Sequence, residues 1–260
     1  MNTIALITDF GLKDNFAGVI KGVCLKINPE ASLIDISHGV LPQNILEASF
    51  LLLKSFSFFP GGTVFLVVVD PGVGSQRRAL AVKTRNFYFV GPDNGVLWQS
   101  AAKDGIKKII SLTNKKYFLK EPSSTFHGRD IFAPCASYLS KGMDINKLGN
   151  SLNKIKSLCL PMASLENNRL SGEILYIDKF GNLVTNITKS QFLKFTKRRR
   201  FRLHIKSRVV NKIYSFYNQA LSNNLFLCEG SFGFLEISLR EKSAAALLRA
   251  KLKDKIIVKV

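Results

Sequence analysis

The sequence predicts an α/β protein: an N-terminal, mostly parallel sheet with helices on both faces, followed by a smaller antiparallel β domain, a barrel or a sandwich. Three observations lead there. Over residues 1–152, short β-rich apolar runs alternate with segments of helical spacing, the pattern of strand–helix–strand units. Thr63–Val69 is almost wholly β-branched or apolar, as a strand covered on both faces must be. From about Leu165 the runs become short, closely spaced and β-like, as in antiparallel sandwiches and barrels.

Taken in order, Thr3–Thr8 is the first strand. Asp14 is expected to cap a helix over Asn15–Ile27, where Phe16, Val19, Ile20, Val23 and Cys24 share a face and Pro29 ends the run. Ser32–Ser37 is a second strand. Ile45–Phe56 is apolar at helical spacing and stops before Pro60-Gly61-Gly62. After Thr63–Val69, strands follow at Ala79–Val82 and Phe87–Val90, then the turn Gly91-Pro92-Asp93-Asn94-Gly95. A helix begins after Asp130 and ends near Gly142. Residues 153–168 read as a linker between an N-terminal domain, 1–152, and a C-terminal β domain, 169–260. In the latter, strands are expected at Ile174–Ile177, Leu183–Ile187, Phe201–Ile205, Ile213–Phe216, Leu225–Cys228, Phe234–Ile237 and Ile256–Val260, with one helix over Ser243–Lys251.

Composition narrows the function classes. With 46% hydrophobic and 10% aromatic residues over 260 positions, general disorder is excluded. No uninterrupted apolar run reaches the ~18 residues of a membrane span. The nearest candidate, Phe50–Val69, is broken by Lys54, Pro60, Gly61 and Gly62, and the N-terminus reads as a strand, not a signal peptide. Cys24, Cys135, Cys159 and Cys228 are scattered without CxxC spacing, which fits reduced thiols in a cytoplasm and neither a metal site nor a disulfide framework. The net charge of +20 raises a nucleic-acid reading. Most Lys and Arg are dispersed, which argues against nucleic acid as a partner; the one dense run is Lys197-Arg198-Arg199-Arg200-Phe201-Arg202.

Chemistry is concentrated where apolar runs meet glycine. Asp70 follows a buried strand, so its carboxylate must be paired or face a cleft. The turn Pro71-Gly72-Val73-Gly74 brings Arg77 or Arg78 back toward it, and in extended backbone only one of the two can face it. His127 sits in Phe126-His127-Gly128-Arg129-Asp130, a loop before a helix. Asp9 ends the first strand, placed to accept both hydroxyls of a ribose or to serve its own turn. Asp14 is a second carboxylate nearby or simply a helix cap. Asp178-Lys179-Phe180-Gly181-Asn182 offers a ring for stacking and an amide for a base edge, or else a hairpin turn. His38 and His204 read as structural. A metal-dependent nucleotide phosphohydrolase built on Asp9, Asp14, Asp35 and His38, and a basic nucleic-acid-binding protein centred on residues 197–202, remain open as alternatives.

Together these stretches resemble the S-adenosylmethionine (SAM) hydroxide adenosyltransferases, or SAM hydrolases, relatives of the SAM-dependent fluorinase and chlorinase. The resemblance runs in order through Thr8-Asp9-Phe10-Gly11, Asp35-Ile36-Ser37-His38, Val69-Asp70-Pro71-Gly72-Val73-Gly74, Gly91-Pro92-Asp93-Asn94-Gly95, Phe126-His127-Gly128-Arg129-Asp130, Phe180-Gly181-Asn182 with Thr185-Asn186, and Gly230-Ser231 before Leu235-Glu236-Ile237. It implies hydrolysis of SAM to adenosine and L-methionine by water or hydroxide attacking the ribose C5′. It further implies a catalytic Asp70, Arg77 and His127, no cofactor or metal, and a homotrimer with sites between subunits. Asp9 matches the ribose carboxylate; Phe180, Asn182 and Phe216 match adenine-side positions, and Asp14, Asp178 and Ser231 the methionine side. The halogenating relatives replace the triad, so its presence favours water over halide, with a SAM-dependent halogenase as the alternative within the resemblance. Gln43, Phe232 and Arg240-Glu241-Lys242 depart from the pattern around the substrate.

Overall fold

A strand that is apolar on both faces needs cover on both, and the first part of the chain supplies it. The computed structural model describes residues 2–221 and 223–260, and the chain divides into two units, Met1–Leu160 and Pro161–Val260. The first unit runs β1 (Thr3–Thr8), α1 (Phe16–Ile27), β2 (Ser32–Ser37), α2 (Ile45–Ser55), β3 (Val64–Val68), β4 (Ala79–Thr84), β5 (Tyr88–Pro92), α3 (Trp98–Asp104), β6 (Ile106–Leu112), α4 (Ala133–Ser140) and β7 (Gly149–Ser151). Its sheet has the order β2-β1-β3-β5-β4-β6-β7. Neighbours are parallel from β2 to β5 and antiparallel from β5 to β7, so only β4 and β7 oppose the other strands.

Strand alternation divides the core between the two faces. Ile4, Leu6, Val64, Leu66 and Val68 pack on one side with Ile20 and Cys24 of α1 and Ala133, Ala136 and Leu139 of α4. Ala5, Ile7, Phe65 and Val67 pack on the other with Ala48 and Leu52 of α2 and Ala101 of α3. Because β1 and β3 are adjacent and parallel, with Thr8 opposite Val68, Asp9 and Asp70 leave the sheet side by side at its carboxyl edge.

The second unit contains β8 (Ser164–Glu166), β9 (Arg169–Ile177), β10 (Leu183–Thr188), α5 (Lys189–Thr196), β11 (Arg202–Ile205), β12 (Arg208–Val210), β13 (Leu225–Glu229), β14 (Phe234–Leu239), α6 (Ala244–Leu248) and β15 (Lys255–Lys259). All of its strand pairings are antiparallel, in the order β12-β11-β15-β9-β10-β14-β13, with β8 on β9. Backbone bonds from Leu227 N to Lys212 O (2.9 Å) and from Tyr214 N to Leu227 O (2.8 Å) draw the end after β12 onto β13. The sheet thereby nearly closes into a barrel around Leu170, Leu183, Leu203, Leu235, Ile237 and Ile256.

Some local expectations do not hold. Asp14 is not the cap of α1: Asn15 occupies that position and its side chain makes no capping bond. Ile213–Phe216 is not a strand. Only Ile213 makes a bridge, to Leu227, because Gln219 Oε1 accepts from Ser215 N at 2.9 Å and winds the chain into a short 3-10 turn at Tyr217–Gln219. Elements α3, β6, β7, β8, α5 and β12 are additional to those expected. Of residues 153–168, Ile155 is buried in the first unit's core and Ser164–Glu166 forms β8. Among the described residues no helix is long and apolar enough to cross a membrane.

Candidate active site

Asp70 emerges from β3 into a turn tight enough to return the chain within seven residues. Gly74 makes this possible: its φ is +78°, and a Cβ there would lie 2.4 Å from Ser124 O. Ser75 Oγ donates to Gly72 O at 2.7 Å and accepts from Arg77 N at 3.2 Å, fixing the residue after the turn. Arg77 Nε then donates to Asp70 Oδ1 and Oδ2 at 2.9 and 3.0 Å, and Nη2 donates to Oδ2 at 2.5 Å. Arg78 faces away, bonded to Asp93 Oδ2 and to Lys154 O.

The third member enters from another element. His127 precedes a π-helical turn, Gly128–Phe132, that leads into α4. Such turns re-aim side chains at the cost of regular helix bonding. Asp130 anchors this one. It is buried, pairs with Arg129 (Nε to Oδ1, 2.6 Å) and accepts from Ser123 N at 2.8 Å. Gly128 lies close enough to Val68 and Phe126 that a Cβ would crowd both, at 3.2 and 3.3 Å. Arg77 Nη2 and His127 Nδ1 are 2.7 Å apart. A guanidinium has only donors, so Nδ1 accepts and a neutral imidazole carries its proton on Nε2. Burial, reinforced by the Arg77 charge, holds the His127 pKa below its ordinary value of 6.5. The guanidinium also lies over the Phe132 ring, 5.1 Å from its centroid.

Asp70 and His127 face a cavity of about 480 Å³ that Asp9, Asp14, Phe10, Phe16, Gln43 and Phe126 also line. Arg77 is behind that wall, joining the two groups. Phe10, Phe16 and Phe126 meet edge-on or tilted at 5.3 to 5.7 Å between centroids and give the cavity an apolar lining beside its carboxylates. Asp9 Oδ2 accepts from Gln43 N at 2.8 Å, which leaves Oδ1 for a ligand hydroxyl. The quartet of the metal-dependent reading is not brought together. Asp35 bonds Lys21 at 2.6 Å, and His38 is held between Thr8 Oγ1 at 2.8 Å and Asp35 Oδ1 at 3.0 Å. Among the described residues no group of three or more His, Cys, Asp or Glu has metal-binding geometry.

The second unit holds a separate cavity of about 880 Å³. Asp178, Phe180, Asn182 and Ser231 line it, as do Phe232, Arg240, Glu241 and Lys242. Asp178 Oδ1 accepts from the Phe180 and Asn182 backbone N–H groups at 2.9 and 2.8 Å, and Oδ2 from Asn182 Nδ2 at 2.8 Å. That turn, with Gly181 at φ +82°, leaves the Phe180 ring 77% exposed and the Asn182 amide at the buried end. Phe216 does not line this cavity; its neighbour Tyr217 does. Sequence reading missed Tyr217 and the role of Glu236. Tyr217 OH donates to Glu236 Oε2 at 2.7 Å, and burial pushes the Glu236 carboxyl above its ordinary range, with Tyr217 opposing and the Asp178 charge adding to the rise. The signal available was a lone carboxylate inside the apolar strand Phe234–Leu239.

The comparisons with known proteins bear on the same two units. A profile of the SAM hydroxide adenosyltransferase N-terminal domain matches residues 4–149, and one of the C-terminal domain matches residues 172–257. The (R)-S-adenosyl-L-methionine hydrolase of Methanocaldococcus jannaschii is 34% identical over 272 residues, covering 98% of this chain and 95% of that one. The enzyme of the same name from Salinispora tropica is 37% identical over 183 residues, 69% of this chain and 70% of its own. A crystal structure of an uncharacterized conserved protein from Thermotoga maritima superposes with a TM-score of 0.92 at 38% identity, over 99% of this chain and 100% of that one. With both of its domains matched and its length covered, this chain belongs to the SAM hydroxide adenosyltransferase family.

Proposed function

We propose that this protein hydrolyses SAM to adenosine and L-methionine, with Asp70, Arg77 and His127 as the catalytic group. The observation that carries the reading is the Arg77 guanidinium joining Asp70 to His127 at the wall of a cavity that also holds Asp9. The sulfonium is an activated leaving group, so the C5′–S bond breaks with its electron pair going to sulfur and no acid is needed there. Water attacks C5′ from the opposite side. His127 Nε2–H donates to its oxygen and holds a lone pair in line. Asp70 accepts the proton that the oxygen must lose once it has bonded to carbon. Positioning of this kind supplies ~7–11 kcal/mol of barrier lowering. Arg77 is a positioning residue that fixes the carboxylate and the imidazole tautomer together.

Asp9 would hold the ribose hydroxyls, Asp14 the methionine side. From the second unit, Phe180, Asn182 and Phe216 would serve the adenine, and Asp178 and Ser231 the methionine. Tyr217 joins this set because it lines the cavity where Phe216 does not. The assembly we propose is a homotrimer with sites between chains. A cytoplasmic setting suits three buried, unpaired thiols. The test is incubation with SAM, with and without chloride, followed by chromatography for adenosine, methionine and 5′-chloro-5′-deoxyadenosine. Adenosine in both conditions is expected. Asp70→Ala and His127→Ala should each abolish it while circular dichroism stays native; undiminished turnover in both removes the triad.

A further inference from the structure

The second unit carries a basic cleft that the reaction does not use. Between Asp178 and Glu229 the chain has 11 Lys and Arg and no Asp or Glu, and residues 161–260 hold 19 basic against 7 acidic side chains. The fold gathers part of this charge. Arg200, Arg202, His204, Asn211, Lys212 and Lys259 line a concave space of about 790 Å³, sharing no residue with the cavity around Asn182 and Tyr217. On β11, Leu203 and Ile205 point inward, so Arg202 and His204 point out. On β15, exposed Lys259 stands directly opposite Arg202 in the antiparallel register. Like charges in that position repel, and among the described residues no carboxylate pairs with Arg200, Arg202, Lys212 or Lys259. The available acids are engaged elsewhere: Asp254 with Lys206 and Glu173 with Lys255.

We propose that this cleft binds the backbone of a single-stranded nucleic acid. Unpaired, mutually repelling cations in a concavity are relieved by an anion. The basic run continues past the cleft through Lys197, Arg198 and Arg199, all exposed, which is more cations than the phosphate of one mononucleotide engages; Arg208, opposite Ile205, lies on the other face of the sheet. His204 and Asn211, set between the cations, supply hydrogen bonds to sugar or base edges. This site is independent of SAM chemistry.

The experiment is fluorescence anisotropy with labelled single-stranded RNA and DNA of roughly 20 nucleotides, across a salt series. Inorganic polyphosphate and anionic vesicles run as separate arms. Binding at or below about 10 μM in ~50 mM salt is expected. The combined variant Arg200→Ser, Arg202→Ser, Lys259→Ser should weaken it at least about 30-fold and reduce the salt slope by about 2, at roughly 0.7 per lost phosphate contact. Its melting temperature should not fall, since a like-charge contact is removed. The control Lys115→Ser, Lys116→Ser, Lys120→Ser, on exposed lysines of the first unit, should bind like the parent. No oligonucleotide binding, equal weakening by the control set, or binding confined to polyphosphate or vesicles overturns the proposal.

Discussion

Arg77 holds both of its partners by donation alone, and this fixes the chemistry left to His127. With Nδ1 accepting from Arg77, a neutral imidazole carries its proton on Nε2, the form the proposed mechanism needs. Burial and the Arg77 charge lower its pKa, so protonation that would break the Nδ1 contact occurs only below the ordinary 6.5. The acid limb of kcat/KM is therefore expected below pH 6.5. In Arg77→Gln the cation that depresses the pKa is gone while Asp70 and Asp130, which raise it, remain. The limb should move to higher pH, with activity at its plateau reduced about a hundredfold or more through lost positioning. A limb that stays in place while activity falls would show that Arg77 does not touch the titrating group. Asp70 was legible because it ends a buried apolar strand just before the turn Pro71-Gly72, and His127 because it stands beside Gly128 in a loop before a helix. Tyr217 was not, since its place at a cavity follows from a 3-10 turn set by a Gln219 side chain.

Individual elements show the same division between local and nonlocal signals. Helix α5 has a complete capping box, with Thr188 accepting from Gln191 N and Gln191 Oε1 accepting from Thr188 N at 2.9 Å. The pattern Thr188-Lys189-Ser190-Gln191 was present in the sequence. It passed unread because the helix is eight residues long and buries only Phe192 and Thr196, too little for periodicity to register. Thr188→Ala should cost about 1 kcal/mol in urea unfolding, and Thr188→Ser almost nothing. Strand β14 offers a test with a pH sign. The Glu236 pKa is raised in the folded state from 4.5. Its contribution to stability is thus fully present below 4.5 and is lost as pH rises through the folded value. Glu236→Gln keeps an acceptor for Tyr217 OH and cannot ionise. Its stability relative to the parent should rise as pH climbs from 4.5 through the folded value and then level off; a constant difference would mean that Glu236 is not strained by charge. The expected strand at Ile213–Phe216 failed for the converse reason, because β-like composition says nothing of a partner strand, and only Ile213 finds one.

Over the whole molecule, fold class was readable because two periodicities change at one point in the chain, and because a strand buried on both faces implies helices above and below. The antiparallel extension of the first sheet through β4, β6 and β7 was less so: Lys107 and Lys108 interrupt β6, and which edge it joins is a long-range matter. Net charge is a poor guide to the substrate at this scale. SAM is cationic, so a +20 chain repels it at distance, and in the proposed site Asp9, Asp14, Asp70 and Asp178 would supply the favourable local potential. Those carboxylates belong to two units, Asp178 to the second and the rest to the first. In the homotrimer proposed above, each site would join the first unit of one protomer to the second unit of a neighbour. Light scattering should then give three times the 29.0 kDa chain mass. Complementation tests the rest. Asp70→Ala disables the first unit, and Asp178→Asn the charge of the second while keeping an acceptor for the Phe180 and Asn182 N–H groups. Each variant alone should be inactive. Co-refolded in equal amounts, random assembly places two intact units at about a quarter of the sites, so about a quarter of parental activity should return. Sites completed within one chain would return none, because every chain in the mixture carries one damaged unit.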